Sequence, residues 1–220
     1  MAHRNTGGHD PVAESASGRT APEQAHSHRG YKPAICVFCG SSPGNDRIYA
    51  KTARELGRHI GEGGYRLIFG GGAVGLMGEV ARAARSAGAP IIGILPAFLR
   101  GVEPPLKSAE ELVITPDLQQ RKSRMLTLAD AFVILPGGLG TLDEFFEVLN
   151  LLKTKNTPQV PVILIGGEFW KSCDTWMSSE VVQHHGITKE DLNFYYITDD
   201  LENAICVISE KCNMPLHKKK

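Results

Sequence analysis

Short apolar runs alternate with amphipathic segments along most of this chain. The runs RLIF (66–69), PIIGILP (90–96) and AFVILP (131–136) are almost continuously apolar, which is typical of strands buried on both faces of a sheet. Between such runs, apolar residues recur at helical spacing, as at Leu56 and Ile60. This alternation predicts an α/β domain in which a parallel sheet carries helices on both faces.

The same pattern places the individual elements. Strands are expected at 34–40, 66–69, 90–96, 112–115, 131–136 and 160–166, and helices at 47–64, 74–88, 118–130, 142–154 and roughly 168–183. The segments FYYIT (194–198) and DLENAICVIS (200–209) complete the series. We therefore expect one doubly wound, Rossmann-like domain over residues 31–212.

Both ends of the chain differ from this central part. Residues 1–30 are rich in Gly, Ser, Ala, Pro and His and contain almost no large apolar residue, which predicts a disordered tail. This tail also lacks the apolar centre of a secretory signal, so a cytoplasmic protein is expected. Residues 213–220 form a basic C-terminal tail.

Charge and cysteine content exclude several classes of function. Lys and Arg total 24 and Asp and Glu total 24, so no net charge attracts nucleic acid, and no apolar run approaches the ~20 residues that span a bilayer. The odd number of cysteines, 5, favours reduced thiols. Cys36 and Cys39 lie within one predicted strand and point to opposite faces, so we expect neither a metal site nor a redox pair.

Glycine clusters follow three of the predicted strands, at 40–42 (GSS), 70–72 (GGG) and 137–140 (GGLG). In doubly wound sheets, ligands bind beyond the carboxyl ends of the strands, where these clusters lie. The stretch PGGLGT, between a strand and a helix, could be a tight turn. It could also hold a phosphate at the helix N-terminus, where unpaired N–H groups favour an anion and Thr141 offers a hydroxyl. The stretch matches neither the Walker motif nor G-x-G-x-x-G, and its compactness favours a single phosphate.

An acidic residue, Glu144, follows this loop by one helical turn. A carboxylate there often only complements the helix dipole. Beside a bound phosphate it would need a compensating cation, and the preceding helix supplies Arg121, Lys122 and Arg124, although such a trio is often a solvated face. A phosphate socket with a carboxylate beside it for chemistry thus stands next to the plainer interpretation of a turn followed by solvated charges.

Several motifs occur in the same order as in a known family. FCGSS, GGGAVGLMGEVA, ILPAFL with Glu103 following, RKSRM and PGGLGTLDE resemble the LOG ("lonely guy") family of cytokinin riboside 5′-monophosphate phosphoribohydrolases, long labelled lysine decarboxylases. The resemblance covers about residues 34–166 and extends more loosely to 209. It implies hydrolysis of the N-glycosidic bond of adenine-type nucleoside 5′-monophosphates, namely AMP and N6-modified AMP, to free base and ribose 5-phosphate.

The resemblance also implies roles for individual residues. Arg121 and Glu144 would be the catalytic pair, with Arg121 keeping Glu144 ionised. The substrate would be bound by Glu103, Arg121, Lys122, Gly137, Gly138, Leu139, Gly140, Thr141, Leu142, Asp143 and Asn150. Secondary candidates are Ser41, Ser42, Gly71, Gly72, Met77 and Met125. No cofactor or metal is implied, and the family's members are homodimers or larger.

Two alternatives to this hydrolase remain. A decarboxylase that uses pyridoxal phosphate needs a Schiff-base lysine and an acidic partner, and nothing in the sequence marks out such a lysine. A nucleotide-binding, sensor or carrier module of the same fold would need the phosphate loop and the cation. Such a module would have little use for the carboxylate of Glu144, so the pairing of Arg121 with Glu144 favours the enzyme.

Overall fold

The structure, a computed structural model, describes residues 32–212, which belong to one compact unit. The two predicted tails lie outside the described residues. The unit is a seven-stranded, wholly parallel sheet with helices on both sides, which confirms the predicted fold class. The strands are β1 (Ala34–Phe38), β2 (Arg66–Phe69), β3 (Ile91–Pro96), β4 (Glu111–Thr115), β5 (Ala131–Ile134), β6 (Val162–Ile165) and β7 (Tyr196–Thr198).

The described residues form six α-helices, five of them between strands and the sixth after the last strand. They are α1 (Arg47–Glu62), α2 (Gly75–Ser86), α3 (Leu118–Leu128), α4 (Leu139–Lys153), α5 (Gly167–Trp176) and α6 (Leu201–Lys211). Two short 3₁₀ helices, Ala97–Gly101 and Glu190–Phe194, and a π-helical segment, Met177–Val181, complete the described elements. No helix among residues 32–212 is both long and apolar enough to cross a bilayer.

Two hydrophobic cores cover the two faces of the sheet. On one face α1, α2 and α6 pack through residues such as Leu56, Val80 and Ile208. On the other face α4 and α5 contribute Phe145 and Trp170, together with residues from α3. Because both faces are covered, the central strands are apolar throughout, which is why they could be recognised from the sequence.

The start of α4 differs from the prediction. The helix begins at Leu139, inside the glycine cluster, and not at Leu142. Gly138 is its N-cap residue, and the Leu142 N–H donates to the Gly138 carbonyl at 3.1 Å. Glycine is a poor helix former, so the periodic pattern became visible only after Thr141. The PGGLGT stretch is therefore half loop and half first helical turn.

The order of the strands fixes where a ligand can enter. The sheet runs β4–β3–β2–β1–β5–β6–β7, so the chain builds outward from β1 to β4 and then returns to place β5 on the other side of β1. The carboxyl ends of β1 and β5 therefore flank the topological switch point, where doubly wound folds bind their ligands. The Gly40 N–H donates to the Pro136 carbonyl at 3.1 Å and ties the two ends together.

Candidate active site

A cavity of about 200 Å³ opens at this switch point. Segments that are far apart in the chain contribute to it: the end of β1, the residue after β2, the loop before β4, α3 and the first turns of α4. Its lining residues are Val37, Phe38, Cys39, Gly40, Ser41, Gly70, Met77, Glu103, Arg121, Met125, Gly138, Leu139, Gly140, Thr141 and Glu144.

Arg121 lies on α3 and is almost completely buried, with 8% of its surface exposed. Its Nε donates to the Ile94 carbonyl at 3.1 Å and its Nη2 donates to the Gly70 carbonyl at 3.2 Å. No other described residue forms an ion pair with this guanidinium within 4.0 Å. A buried cation without a protein carboxylate against it is suited to an anionic or polar ligand in the adjoining cavity.

Glu144 lies in the second turn of α4 and lines the same cavity. Burial raises the pKa of Glu144 to about 7, although the charge of Arg121 lowers it. Among the weaker influences, Asp143 and Glu103 raise this pKa and Lys122 lowers it. Arg121 was expected to keep Glu144 ionised. Its charge does lower the pKa of Glu144, but burial raises this pKa by more. A carboxyl group that titrates near neutral pH is suited to general acid–base chemistry.

The N-terminus of α4 borders the cavity through Gly138, Leu139, Gly140 and Thr141. The N–H groups of its first residues have no carbonyl one turn earlier to bond to, since Leu142 is the first to donate back, to Gly138. A side chain at Gly138 or Gly140 would meet open space, so nothing in the described protein crowds this terminus. The arrangement can therefore accept an anion at close range.

Gly137 lies just before the N-cap of α4 and makes room for a side chain of its first turn. A Cβ atom at Gly137 would overlap the Thr141 hydroxyl, whose side chain is buried. The absence of a side chain at Gly137 thus leaves room for Thr141 at the cavity wall.

Glu103 follows the first 3₁₀ helix and reaches the cavity from the side of α2. Its Oε2 atom is buried and has no hydrogen-bond partner among the described residues. A buried carboxylate oxygen is costly when it lacks a partner, so a donor from a ligand would stabilise this position. Because Glu103 is acidic and lies near the start of α2, at Gly72 and Met77, that helix terminus is less suited to phosphate than the terminus of α4.

Lys122 forms ion pairs outside the cavity. Its ammonium lies 2.7 Å from Asp143 Oδ2 and 2.7 Å from Glu147 Oε2, and none of these three residues lines the cavity. Burial alone would lower the pKa of Lys122, but its hydrogen bond to Asp143 and its ion pair with Glu147 raise it. Arg124, the third cation of the trio, is exposed.

The structure thus brings only part of the predicted site together. Predicted residues that line the cavity are Ser41, Met77, Glu103, Arg121, Met125, Gly138, Leu139, Gly140, Thr141 and Glu144. Predicted residues outside its lining are Ser42, Gly71, Gly72, Lys122, Gly137, Leu142, Asp143 and Asn150. A substrate role for this second group stays a prediction; Asn150, for example, is exposed in the fourth turn of α4.

Sequence reasoning missed the strand-end residues of the site. Val37, Phe38 and Cys39 line the cavity although they read only as buried strand, and Gly40 and Gly70 belong to glycine clusters that were noticed without being assigned individually. All five cysteines are free thiols, and burial raises the pKa of Cys39. No group of three potential metal ligands occurs within residues 32–212.

Comparisons with known proteins connect this site to one family. The family model described as "Possible lysine decarboxylase" matches residues 77–208. A cytokinin riboside 5′-monophosphate phosphoribohydrolase of Rhodococcoides fascians is 36% identical over 178 residues, which cover 80% of this chain and 88% of that protein. The enzyme of the same name, LOG7, from Arabidopsis thaliana is 44% identical over 116 residues, 53% of this chain and 54% of that protein.

Solved structures share the fold. The molybdenum cofactor carrier protein of Chlamydomonas reinhardtii superposes with a TM-score of 0.64 at 23% identity, over 83% of this chain and 99% of that one, a likeness that shows the fold alone. The molybdenum cofactor binding protein of Rippkaea orientalis superposes with a TM-score of 0.59 at 26% identity, over 83% of this chain and 98% of that one.

Proposed function

We propose a function from the premise that this chain belongs to the LOG family, whose model matches residues 77–208. The proposed reaction is hydrolysis of the N-glycosidic bond of adenine-type nucleoside 5′-monophosphates, AMP and N6-modified AMP, to free base and ribose 5-phosphate. The R. fascians relative, aligned over most of both chains, bears the name of this activity. The observation that carries the proposal is that Glu144, whose pKa burial raises to about 7, and Arg121 line one cavity that the N-terminus of α4 borders.

The substrate's phosphate is assigned to the N-terminus of α4. Unpaired N–H groups and the positive end of the helix dipole favour an anion there, and Thr141 adds a hydroxyl. The unpartnered oxygen of Glu103 then receives a donor from the rest of the nucleotide. A cavity of about 200 Å³ suits the ribose and phosphate and leaves the base toward the mouth.

The chemistry uses the two central side chains. Cleavage of the bond between C1′ and the purine nitrogen builds positive charge on the ribose, as in glycoside hydrolysis. The Glu144 carboxylate stabilises that charge and takes a proton from the water whose oxygen bonds to C1′. The bonding electrons leave with the purine, which gains a proton from solvent. Arg121, held by two carbonyls, binds sugar or phosphate oxygens and orients the reacting centre.

A carrier or sensor without catalysis is the second candidate, and it is favoured by the shared fold with the molybdenum cofactor proteins. Decarboxylation with pyridoxal phosphate has less support, since no lysine lines the cavity in the described part of the chain. A binder needs the cation and the helix terminus of this cavity. It has no need for a carboxyl group whose burial raises its pKa, which costs stability at neutral pH.

Base release decides between these candidates. The full chain is incubated with AMP and with isopentenyladenosine monophosphate, and free base and ribose 5-phosphate are separated by chromatography. Wild type should release both products in equal amounts, and Glu144→Gln and Arg121→Ala should release neither. Glu111→Gln, at an exposed acid on the edge strand β4, is the matched control and should retain activity. Nucleotide binding without base release would favour the carrier.

Several coarser proposals accompany the activity. The domain is taken to span 31–212 between two tails, in a cytoplasmic protein whose thiols remain reduced, in keeping with the five free cysteines.

We further propose a homodimer or larger assembly, because the large apolar side chains of Phe98 and Val102, next to Glu103, and of Leu139 are 60%, 76% and 86% exposed. Light scattering after size-exclusion chromatography measures the mass, and a monomer would contradict this proposal.

A further inference from the structure

The ammonium of Lys122 bridges α3 and α4 beside the catalytic cavity. It contacts Asp143 Oδ2 and Glu147 Oε2, both at 2.7 Å. Asp143 and Glu147 are four residues apart, so they project from the same face of α4, and Glu144 is offset from that face toward the cavity. Arg121, the neighbour of Lys122, faces the cavity from α3. One turn of each helix thus carries both a catalytic candidate and an interhelical ion pair.

We propose that Lys122 is a positioning residue, and that Glu147 is its essential partner. Together with Asp143, they hold α3 and α4 in the register that sets Arg121 and Glu144 across the cavity. On this assignment Lys122 is no substrate ligand, which revises the role that family resemblance implies. The inference rests on the proposed hydrolase function and names a residue, Glu147, that the motif comparison leaves out.

Burial supports this assignment. The Lys122 side chain is only 18% exposed and that of Glu147 31%, so the contact is partly shielded from solvent. Exposed pairs such as Lys51–Glu55, at 64% and 47%, are screened and contribute little. Removing one partner of a shielded pair leaves the other without compensation, so the helix contact should shift.

Charge provides a second route for the same residues to act. Glu144 is faced by Arg121 and Lys122 from α3, by Asp143 from its own helix and by Glu103 from the loop before β4. The thiols of Cys36 in β1 and of Cys39, just after that strand, also interact with its charge. Lys122 lowers the pKa of Glu144, while Asp143 raises it. Loss of the Lys122 charge should therefore move the acid limb of the pH–rate profile upward, and Asp143→Asn should move it downward.

The test is a double-mutant cycle of Lys122→Met and Glu147→Gln, measured on the full chain with AMP. Misplacing catalytic groups by a fraction of an ångström to 1 Å lowers kcat strongly, so each single variant should lose about tenfold in kcat. The double variant should be no worse than the poorer single one, because both changes remove the same contact. Lys153→Met, which removes the 2.8 Å pair with Asp191 at the other end of α4, is the control and should keep kcat.

Binding and pH separate positioning from substrate contact. AMP affinity, measured by calorimetry in a Glu144→Gln background to prevent turnover, should change less than about threefold with Lys122→Met, whereas a lost phosphate contact costs tenfold or more. The acid limb of Lys122→Met should lie at higher pH than that of wild type. A tenfold loss of AMP affinity in Lys122→Met that Glu147→Gln does not share, or additive kcat losses, would overturn the assignment.

The experiments distinguish failure of the hydrolase proposal from failure of the positioning role of Lys122. If wild type releases no base, the hydrolase proposal is wrong, and the calorimetric arm then decides the role of Lys122 by itself. Unchanged AMP affinity in Lys122→Met keeps this residue out of the ligand set, and a tenfold loss places it there and overturns the positioning role.

Discussion

The Arg121 guanidinium lies directly against the backbone of Gly70, and its Nη2 donates to the Gly70 carbonyl at 3.2 Å. A Cβ atom at Gly70 would overlap this same nitrogen and would lie 2.8 Å from the Met77 sulfur. Gly70 has no positive φ, so its lack of a side chain serves close approach and not backbone conformation. The glycine thus makes room for the one buried cation of the described cavity.

Gly70→Ala should therefore reduce activity much more than stability. The atoms that a methyl group meets are the ends of flexible side chains, so the fold can adapt, but Arg121 must move. A displacement of about 1 Å can lower kcat/KM by about 100-fold. Steady-state assays with AMP measure the loss, and Gly101→Ala, where a Cβ meets open space, should leave the rate unchanged. An unaffected Gly70→Ala enzyme would show that Arg121 tolerates displacement.

The raised pKa of Glu144, the proposed base, should set the pH dependence of the reaction. Burial raises its pKa to about 7, and the ionised form is the one that accepts a proton. The rate constant kcat/KM, which reports the free enzyme, should rise about tenfold per pH unit below pH 7 and level off above it. Rates between pH 5 and 9 in a constant-ionic-strength buffer test this expectation. A plateau that extends down to pH 5 would exclude Glu144 as the titrating base.

The same carboxyl group should make the folded protein less stable as pH rises. Its pKa is raised above the usual value of 4.5 to about 7, so the folded state binds the proton more tightly than the unfolded state between these values. Stability is therefore highest below pH 4.5 as far as this group is concerned, and it is lost as pH rises toward 7. The difference corresponds to about 3 kcal/mol at most.

Glu144→Gln removes that titration and should stabilise the protein at high pH while abolishing base release. Urea unfolding at pH 5 and pH 8 should show a wild type that loses stability relative to the variant, by about 2 kcal/mol between the two pH values. The exposed-site variant Glu111→Gln should follow wild type at both. If the difference in stability between Glu144→Gln and wild type is the same at pH 5 and at pH 8, the pKa of Glu144 is not raised by burial.

A further prediction concerns Asp199, which caps the start of α5 beside the glycine loop. Asp199 follows β7, and its Oδ1 accepts hydrogen bonds from the N–H groups of Gly166 and Gly167, at 2.9 and 3.0 Å, at the start of α5. Gly166 has a φ of 105° and lies against Pro136, which precedes the glycine loop. Asp199→Ala should cost about 1–2 kcal/mol, as the loss of a helix cap does, and Asp199→Asn should cost less. Chemical denaturation provides both values, and equal effects would show that the acceptor oxygen is unimportant.

Local patterns account for what could be predicted from the sequence. The period of the apolar residues identified the strands and helices, because burial on both faces of the sheet leaves continuous apolar runs. The glycine clusters indicated the correct edge of the sheet, and the order of the motifs indicated the family. Glu103, Arg121 and Glu144, all predicted from that order, line one cavity. The boundary of α4 was wrong by three residues because glycine hides helical periodicity.

By itself, the sequence determined which residues alternate, which strands are buried and which motifs belong together, since these properties depend on neighbours in the chain. Only the tertiary structure decided that β1 lies beside β5, that Gly70 makes room for Arg121, and that Lys122 is taken up by Asp143 and Glu147. It also decided that burial raises the pKa of Glu144 to about 7, although Arg121 was expected to keep this group ionised. Parallel pairing and burial join residues that are distant in the chain, and a pKa depends on the burial and charges around the group, which exist only after the chain has packed.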